Sequence, residues 1–340
     1  MAKILVTGGL GFIGSHTVVE LQNKGFEVVI IDNLSNSSIK VLDGIVAITG
    51  IKPEFLNIDL KEKNLVQEFF KKHHNIDGVI HFAASKAVGE SVKEPLMYYE
   101  NNINTLVYLL QEYTKLENSN FIFSSSCTVY GEPDALPINE AAPIKPALSP
   151  YGNTKQIGEE IIQDLCKVTS NFKAISLRYF NPIGAHETAF IGELPLGVPQ
   201  NLIPFITQTA IGKRNQLAVF GDNYPTADGT CIRDYIHVVD LAKAHVTALS
   251  RLLEKNNKSN YEVFNLGTGT GSSVLEVIHA FERVSNEKLN YRIAERREGD
   301  VVSVYADTKK ANEELGWTSK LSLDDAMKSA WKWEQKISKS

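Results

Sequence analysis

In the first half of the chain, short β-branched runs alternate with longer helical patterns, the order that builds a parallel sheet with helices on both faces. Strands are expected at 3–7, 27–32, 54–57, 78–82, 120–125 and 174–179, and helices at 12–24, 61–73, 95–117 and 150–168. Such a chain has little freedom of topology, because parallel neighbours need crossovers and crossovers in one sheet are right-handed. After Asn181 the texture changes to loops rich in Gly, Pro and Asn, as in Gly192-Glu193-Leu194-Pro195 and Gly221-Asp222-Asn223-Tyr224-Pro225. A helix at 238–253 and a strand at 263–266 are expected to return to the first sheet. The expected division is therefore residues 1–180, rejoined by 237–267, and a second lobe within 181–340.

The fold class is thus α/β, a Rossmann-type doubly wound parallel sheet with a smaller α/β lobe that holds substrate. With 340 residues, burying a core is no difficulty, and two lobes or one large unit are expected. Basic residues number 35 against 40 acidic ones, a formal charge of −5 with no long block of one sign. A general electrostatic grip on nucleic acid or on an anionic membrane is disfavoured, so an anionic ligand must be met by particular side chains. Cys127, Cys166 and Cys231 show no paired spacing, which fits neither a disulfide framework nor a zinc site. A reducing, cytoplasmic setting is the expectation. The N-terminus runs directly into a strand rather than a signal peptide, and no apolar stretch reaches membrane-spanning length.

Gly8, Gly11 and Gly14 fall between the first strand and the first helix. Absent side chains there permit a tight turn and close approach of a pyrophosphate, beside the positive end of the helix. A glycine-rich turn alone is weak evidence, since turns are rich in glycine. Asp32 strengthens it: an acid ending the second strand can accept both ribose hydroxyls of the adenosine half of NAD and would repel a 2′-phosphate. NAD is therefore expected rather than NADP. Asp59, after the third strand, fits either the adenine edge or a helix N-cap before Lys61, and the two could coexist.

Tyr151 and Lys155 lie one helical turn apart and emerge on one face. A neighbouring ammonium, together with a bound nicotinamide cation, favours phenolate and lowers a tyrosine from about 10 toward a range useful for a general base. In isolation such a pair is a common surface feature. Hydroxyls cluster where the fifth strand ends, at Ser124-Ser125-Ser126-Cys127-Thr128, and ligands of open α/β sheets bind at that carboxyl edge. His81 and His237 each sit in an apolar stretch without ligand spacing, which favours structural histidines, and no metal site is expected.

Taken in order, Gly8-x-x-Gly11-x-x-Gly14, Ser126 and Tyr151-x-x-x-Lys155 resemble the extended short-chain dehydrogenase/reductase superfamily. Within it the chain is similar, over nearly its whole length, to the UDP-glucose 4-epimerase family. Distinctive stretches are 81–91, 177–182, 229–237 and Arg296-Arg297-Glu298-Gly299-Asp300. The resemblance implies that Tyr151 is the base toward the sugar 4-hydroxyl and that Lys155 binds the nicotinamide ribose and tunes it. Ser126 would hydrogen-bond or relay the proton, and Thr128 would support it. Hydride would pass to tightly held NAD, and the resulting 4-keto sugar would turn about its phosphate linkage and take hydride back on its other face. Phe12, Ile13, Asn33, Ile58, Phe82, Ala83, Lys86, Asn101, Ser124 and Tyr179 would complete the cofactor contacts.

UDP brings two negative charges, for which Arg233 and Arg297 are the candidates, since a guanidinium fork matches phosphate oxygens. By the same resemblance Asn181, Asn201 and Tyr235 would contact phosphate or ribose, Leu202, Ala218 and Phe220 would frame the uracil, and Asp300 would take the uridine ribose. Lys86 and Phe180 would also face the substrate. Val304 stands where family members restricted to unmodified hexoses carry tyrosine. The smaller side chain leaves room at the sugar 2-position, so UDP-N-acetylglucosamine and its galacto epimer join the expected substrates. Ala83-Ala84-Ser85 also departs from the family, where a glycine and a bulkier apolar residue are common. Two rivals share the fold: a sugar-nucleotide 4,6-dehydratase, which would carry Asp-Glu where Cys127-Thr128 stand, and a non-catalytic NAD-sensing protein. A homodimer built on the helices at 95–117 and 150–168 is the implied assembly.

Overall fold

The computed structural model describes residues 1–117, 119–297 and 300–339. Its centre is a seven-stranded, wholly parallel sheet. The strands are β1 (Lys3–Thr7), β2 (Glu27–Asp32), β3 (Glu54–Asn57), β4 (Gly78–His81), β5 (Ser119–Ser124), β6 (Phe172–Tyr179) and, from late in the chain, β11 (Tyr261–Leu266). They lie in the order β11-β6-β5-β4-β1-β2-β3. Strand order reverses between β1 and β4, and the crevice at such a switch point is where doubly wound folds take their ligands.

Alternation along the strands explains why both faces are covered. Ile4, Val6, Ile30, Ile80, Ile122, Ile175 and Leu177 form one apolar face with α1 (Phe12–Asn23), α2 (Lys40–Thr49) and, from later in the chain, α8 (Val238–Leu253). Leu5, Val29, Ile31, Val79, Phe121 and Phe123 face the opposite way. They pack against α3 (Lys63–Lys72), α5 (Pro95–Tyr113) and α6 (Pro150–Val168), and a short helix α4 (Val88–Lys93) precedes α5. A residue shift of one along any strand would exchange the two faces, so register is tightly specified.

The expected helix at 61–73 begins later, at Lys63, because Asp59 Oδ1 accepts from Lys61 N at 2.9 Å and closes a turn first. That at 95–117 stops at Tyr113, where Lys115 N and Leu116 N bond back only three residues, to Glu112 and Tyr113, and tighten the last turn. Helix α2 forms in a stretch where no element is expected from sequence.

A second core gathers Ile203, Ile206, Leu217, Val219, Val277, Ile278, Phe281, Met327 and Ala330. It is built from β7 (Asn181–Ile183), α7 (Leu202–Ala210), β8 (Leu217–Phe220), β10 (Tyr235–His237), α9 (Val274–Ser285) and α10 (Leu323–Ile337), and β13 (Tyr291–Ala294) pairs with β8 at its edge. Ser273 and Ser322 close capping boxes with Glu276 and Asp325, which start α9 and α10 sharply. Three short strands, β9 (Ile232–Arg233), β12 (Ser272–Ser273) and β14 (Ser303–Val304), pair in the order β12-β9-β14. Among the described residues no helix is long and apolar enough to cross a membrane.

Candidate active site

At the carboxyl end of β1 the chain turns at Gly8, whose φ of +68° is costly for any other residue. Its N–H donates to Ile31 O at 2.7 Å, and a Cβ would come within 2.8 Å of Ala83 N. A Cβ on Gly14 would overlap Gly8 O, so the helix can approach the turn only because that carbon is missing. Helix α1 opens at Gly11 with no side-chain cap, leaving the amides of its first turn to a ligand. Asp32 braces this cradle: Oδ2 accepts from Leu10 N at 3.0 Å, and Oδ1 accepts from Leu34 N and Ser37 Oγ at 2.9 and 2.7 Å. A carboxylate has about four acceptor sites, so capacity for a ribose hydroxyl remains. Asn33 Nδ2 donates to Asp59 Oδ2 at 3.2 Å, joining two expected adenosine contacts, with half-buried Ile58 beside them. Asp59 caps a turn rather than the helix, whose N-cap position is Glu62. Cradle, bare helix end and acid fit a dinucleotide such as NAD.

Across the switch point, α6 starts with Ser149 as N-cap, accepting from Gly152 N at 3.2 Å, and with Pro150 in its first turn. Gly152 lets it lie close to the 3₁₀ turn Cys127–Tyr130 that follows β5, since a Cβ would meet Thr128 O at 3.3 Å. This apposition brings Tyr151 to Ser126. Ser126 Oγ accepts from both the amide and the hydroxyl of Thr128, at 3.2 and 3.0 Å, so its own proton is left to point into the site. Lys155 Nζ donates to Ser124 O at 2.7 Å and lies 5.0 Å from the centroid of the Phe123 ring. Ser124 Oγ and Tyr179 OH bond to each other at 2.5 Å.

In the chain by itself the Tyr151 phenol is not acidic: burial pushes it well above the usual tyrosine range and Tyr179 adds to that, while its hydrogen bond with Ser126 pulls the other way. Burial lowers the Lys155 ammonium to about 8, opposed by the Glu159 carboxylate. Cys127 is no acid either, its thiol pushed up to about 12 by burial, with the Arg233 guanidinium opposing.

On the second lobe Arg233 Nη1 donates to Ile232 O and Val301 O at 2.9 and 2.7 Å, and its Nη2 lies 3.5 Å from Asp300 Oδ1. Its neighbour Asp234, wholly buried, accepts from Thr268, Gly269 and Ala306 amides and so anchors the end of β9, which carries Arg233. Arg297 stacks 4.5 Å over the Phe220 ring, and Ala218 lies on the same strand. Glu298 and Gly299, of the stretch expected to hold UDP, lie outside the described residues. Asn181 stands on β7 and Tyr235 beside it on β10, while Phe180 is buried with Val129, Tyr130 and Ala306, and Val304 packs against them.

Lys86 and Asn201, which sequence separates widely, meet on one acceptor: Lys86 Nζ is 3.4 Å and Asn201 Nδ2 2.5 Å from Glu193 Oε1. Asn201 precedes Leu202 at the start of α7. Lys86 also sits 6.0 Å over the Phe12 ring, next to Ile13. Asn101 Nδ2 donates to Ser85 Oγ at 3.2 Å, holding the departing segment Ala83-Ala84-Ser85. Phe82 packs against His245. His81 Nδ1 is 2.8 Å from Thr7 Oγ1, and His237 Nδ1 accepts from Val239 N at the start of α8. Both histidines have structural partners.

Sequence gives Glu159 and Glu193 no role, and Ser125 only a place among the hydroxyls at the end of β5. Glu159 was legible, lying one turn beyond Lys155 on the same helical face. Glu193, in an irregular loop, gave no periodic signal.

Fold and site together define an extended short-chain dehydrogenase/reductase, with a dinucleotide cradle and a Ser-Tyr-Lys centre at one sheet edge. Comparison with known proteins narrows the class. The family model described as GDP-mannose 4,6 dehydratase matches residues 5–330. UDP-glucose 4-epimerase from Pasteurella multocida is 49% identical over 98% of this chain and 97% of its own length. The structure of UDP-glucose 4-epimerase from Stenotrophomonas maltophila with bound NAD and formylated UDP-arabinopyranose superposes with a TM-score of 0.95 at 45% identity, covering 100% of this chain and 99% of that one. The Bifidobacterium longum enzyme in complex with NAD+ and UDP gives 0.94 at 45% identity, with 98% of both chains covered. The chain belongs to the UDP-glucose 4-epimerase family.

Proposed function

We propose that this protein interconverts UDP-glucose and UDP-galactose by inverting C4, and that Tyr151, Lys155, Ser126 and Thr128 carry the chemistry. The observation behind the reading is the convergence of Ser126, Tyr151 and Lys155 beside the glycine cradle, with two arginines available to a diphosphate on the opposing lobe. NAD, when bound, supplies a reversible hydride acceptor. Tyr151 Oη takes the proton of the C4 hydroxyl and later returns it once the 4-keto sugar has turned its other face. Ser126 bridges between sugar oxygen and phenol, polarised by the two bonds it accepts from Thr128. Lys155, fixed by the Ser124 carbonyl, holds positive charge at the cofactor side of the tyrosine.

Gly8, Gly11, Phe12, Ile13 and Gly14 would hold the pyrophosphate, and Asp32, Asn33, Ile58 and Asp59 the adenosine. Phe82, Ala83, Lys86, Asn101, Ser124 and Tyr179 would line the nicotinamide half. For the sugar nucleotide, Arg233 and Arg297 would neutralise diphosphate, Asn181, Asn201, Tyr235 and Asp300 would bond phosphate and ribose, Leu202, Ala218 and Phe220 would enclose uracil, and Phe180 would wall the sugar. In this reading residues 1–180 with 237–267 hold the dinucleotide and the remainder of 181–340 holds UDP-sugar. A homodimer through α5 and α6 is proposed with it, and three free cysteines support a cytoplasmic setting.

A 4,6-dehydratase is not favoured, because a high-pKa thiol and a hydroxyl stand where elimination needs an acid. The test is to mix purified protein with UDP-galactose and no added NAD. UDP-glucose is expected; a 4-keto-6-deoxy product would indicate the dehydratase and no turnover the sensing protein. Sedimentation reports the dimer. One observation favours a wider substrate range: Val304, smaller than a tyrosine, pairs in register with Arg233 and packs against the cluster that holds Phe180, two residues proposed to face the sugar nucleotide. Epimerisation of UDP-N-acetylglucosamine checks it, and turnover limited to unmodified hexoses would end it.

A further inference from the structure

We propose that Glu159 is a positioning residue for the epimerisation, acting through Ser125 to fix the segment Ser124-Ser125-Ser126 against α6; the inference rests on the epimerase reading above. Three consecutive serines leave the end of β5, and each is tied differently. Ser124 offers its carbonyl to Lys155 Nζ at 2.7 Å, Ser126 holds the Thr128 and Tyr151 contacts, and between them Ser125 Oγ donates to Glu159 Oε1 at 2.5 Å. Tyr151, Lys155 and Glu159 recur at one-turn spacing on α6, so one helix face touches all three serines. The Ser125–Glu159 bond is the tie between strand end and helix that involves neither reacting side chain.

Glu159 is itself immobilised. Arg178 on β6 grips it with Nε to Oε1 at 2.9 Å and Nη2 to Oε2 at 2.5 Å, and Arg178 Nη1 donates to Tyr130 OH at 3.0 Å. Tyr130 OH donates in turn to Asn265 Oδ1 on β11 at 2.7 Å. Ser125, Glu159 and Arg178 are all buried. A buried ion pair is often replaceable by apolar residues without loss of stability, so stability by itself gives little reason for one here. A rigid acceptor for Ser125 does give a reason, because displacements of about 1 Å near reacting groups cost on the order of a hundredfold in rate. The carboxylate also faces Lys155, around which stand His81 from β4, the Ser124 carbonyl and Phe123 ring from β5, and Tyr151 from α6.

The experiment compares Ser125→Ala and the paired replacement Glu159→Leu with Arg178→Met against the parent, using UDP-galactose. Ser125→Ala keeps the Glu159–Arg178 pair, and the paired replacement removes both buried charges together. For each variant kcat is expected to fall between about tenfold and a hundredfold, with KM within about twofold of the parent, and NAD content and melting temperature preserved. A kcat within twofold of the parent in either folded variant overturns the inference. So does a loss of kcat accompanied by proportionate losses of NAD content and thermal stability, which would mark a merely structural role. An inactive parent overturns the epimerase reading and this inference with it; an active parent with fully active variants overturns the inference alone.

Discussion

The Lys155 ammonium lies 5.8 Å from the centroid of the Tyr151 ring and is bonded to the Ser124 carbonyl. The lysine is thereby fixed in place next to a phenol whose pKa burial raises. Tyr151→Phe removes the hydroxyl proposed to move the sugar proton while leaving the ring's packing. Turnover of UDP-galactose is expected to drop by about a thousandfold or more, with UDP and NAD binding little changed. Retained turnover in a kinetic assay would contradict the assignment.

Gly14→Ala places a methyl carbon against Gly8 O and within 2.9 Å of Gly9 Cα. Helix and glycine turn must separate, which opens the cradle proposed for the pyrophosphate. Protein carrying this change should purify with at least about tenfold less dinucleotide, read by absorbance after acid release. Full occupancy would argue against the cradle.

Four buried histidines make a signed prediction about pH. Burial lowers His16 and His81 to about 3 and His237 and His245 to about 4. Below about 6.5 the unfolded chain takes up protons at these positions and the folded chain does not. The unfolded state then binds more protons, so stability is lost as pH falls from about 6.5 toward 4, by roughly 1.4 kcal/mol per histidine per pH unit. Glu20, Glu140 and Asp234, raised by burial, act in the opposite sense and offset part of this. Urea unfolding midpoints at pH 7 and 5.5 measure the net; equal midpoints would refute it.

Val304→Tyr should narrow the substrates. Val304 lies on β14 in register with Arg233, and an aromatic ring there would occupy the space proposed for an acetamido group. Expected is a fall of about tenfold or more in kcat/KM for UDP-N-acetylglucosamine with UDP-galactose nearly unaffected. Equal losses on both substrates would point to general disruption.

Much of the first lobe was legible because its signals are local. Short β-branched runs marked the strands of the central sheet, and the helix over Pro150–Val168 was legible as a helical pattern, whereas the opposite faces taken by Ile4 and Leu5 come from the packed structure. The second lobe was less so. Helices α9 and α10 carried readable Ser-x-x-Glu and Ser-x-x-Asp caps, but β8 and β13 pair across a long separation that no local pattern reports.

By itself the sequence determined the chemical inventory: glycines where a Cβ would collide, an acid closing β2, and a tyrosine and lysine one turn apart. These depend on backbone geometry within a few residues, which side-chain identity dictates directly. Only the tertiary structure decided which groups are neighbours and what their surroundings do to them. It joined Lys86 to Asn201 through Glu193, seated Ser125 on the Glu159–Arg178 pair, and buried Tyr151, which raises the pKa of its phenol. Burial and through-space charge are properties of the packed molecule, arising from residues far apart along the chain.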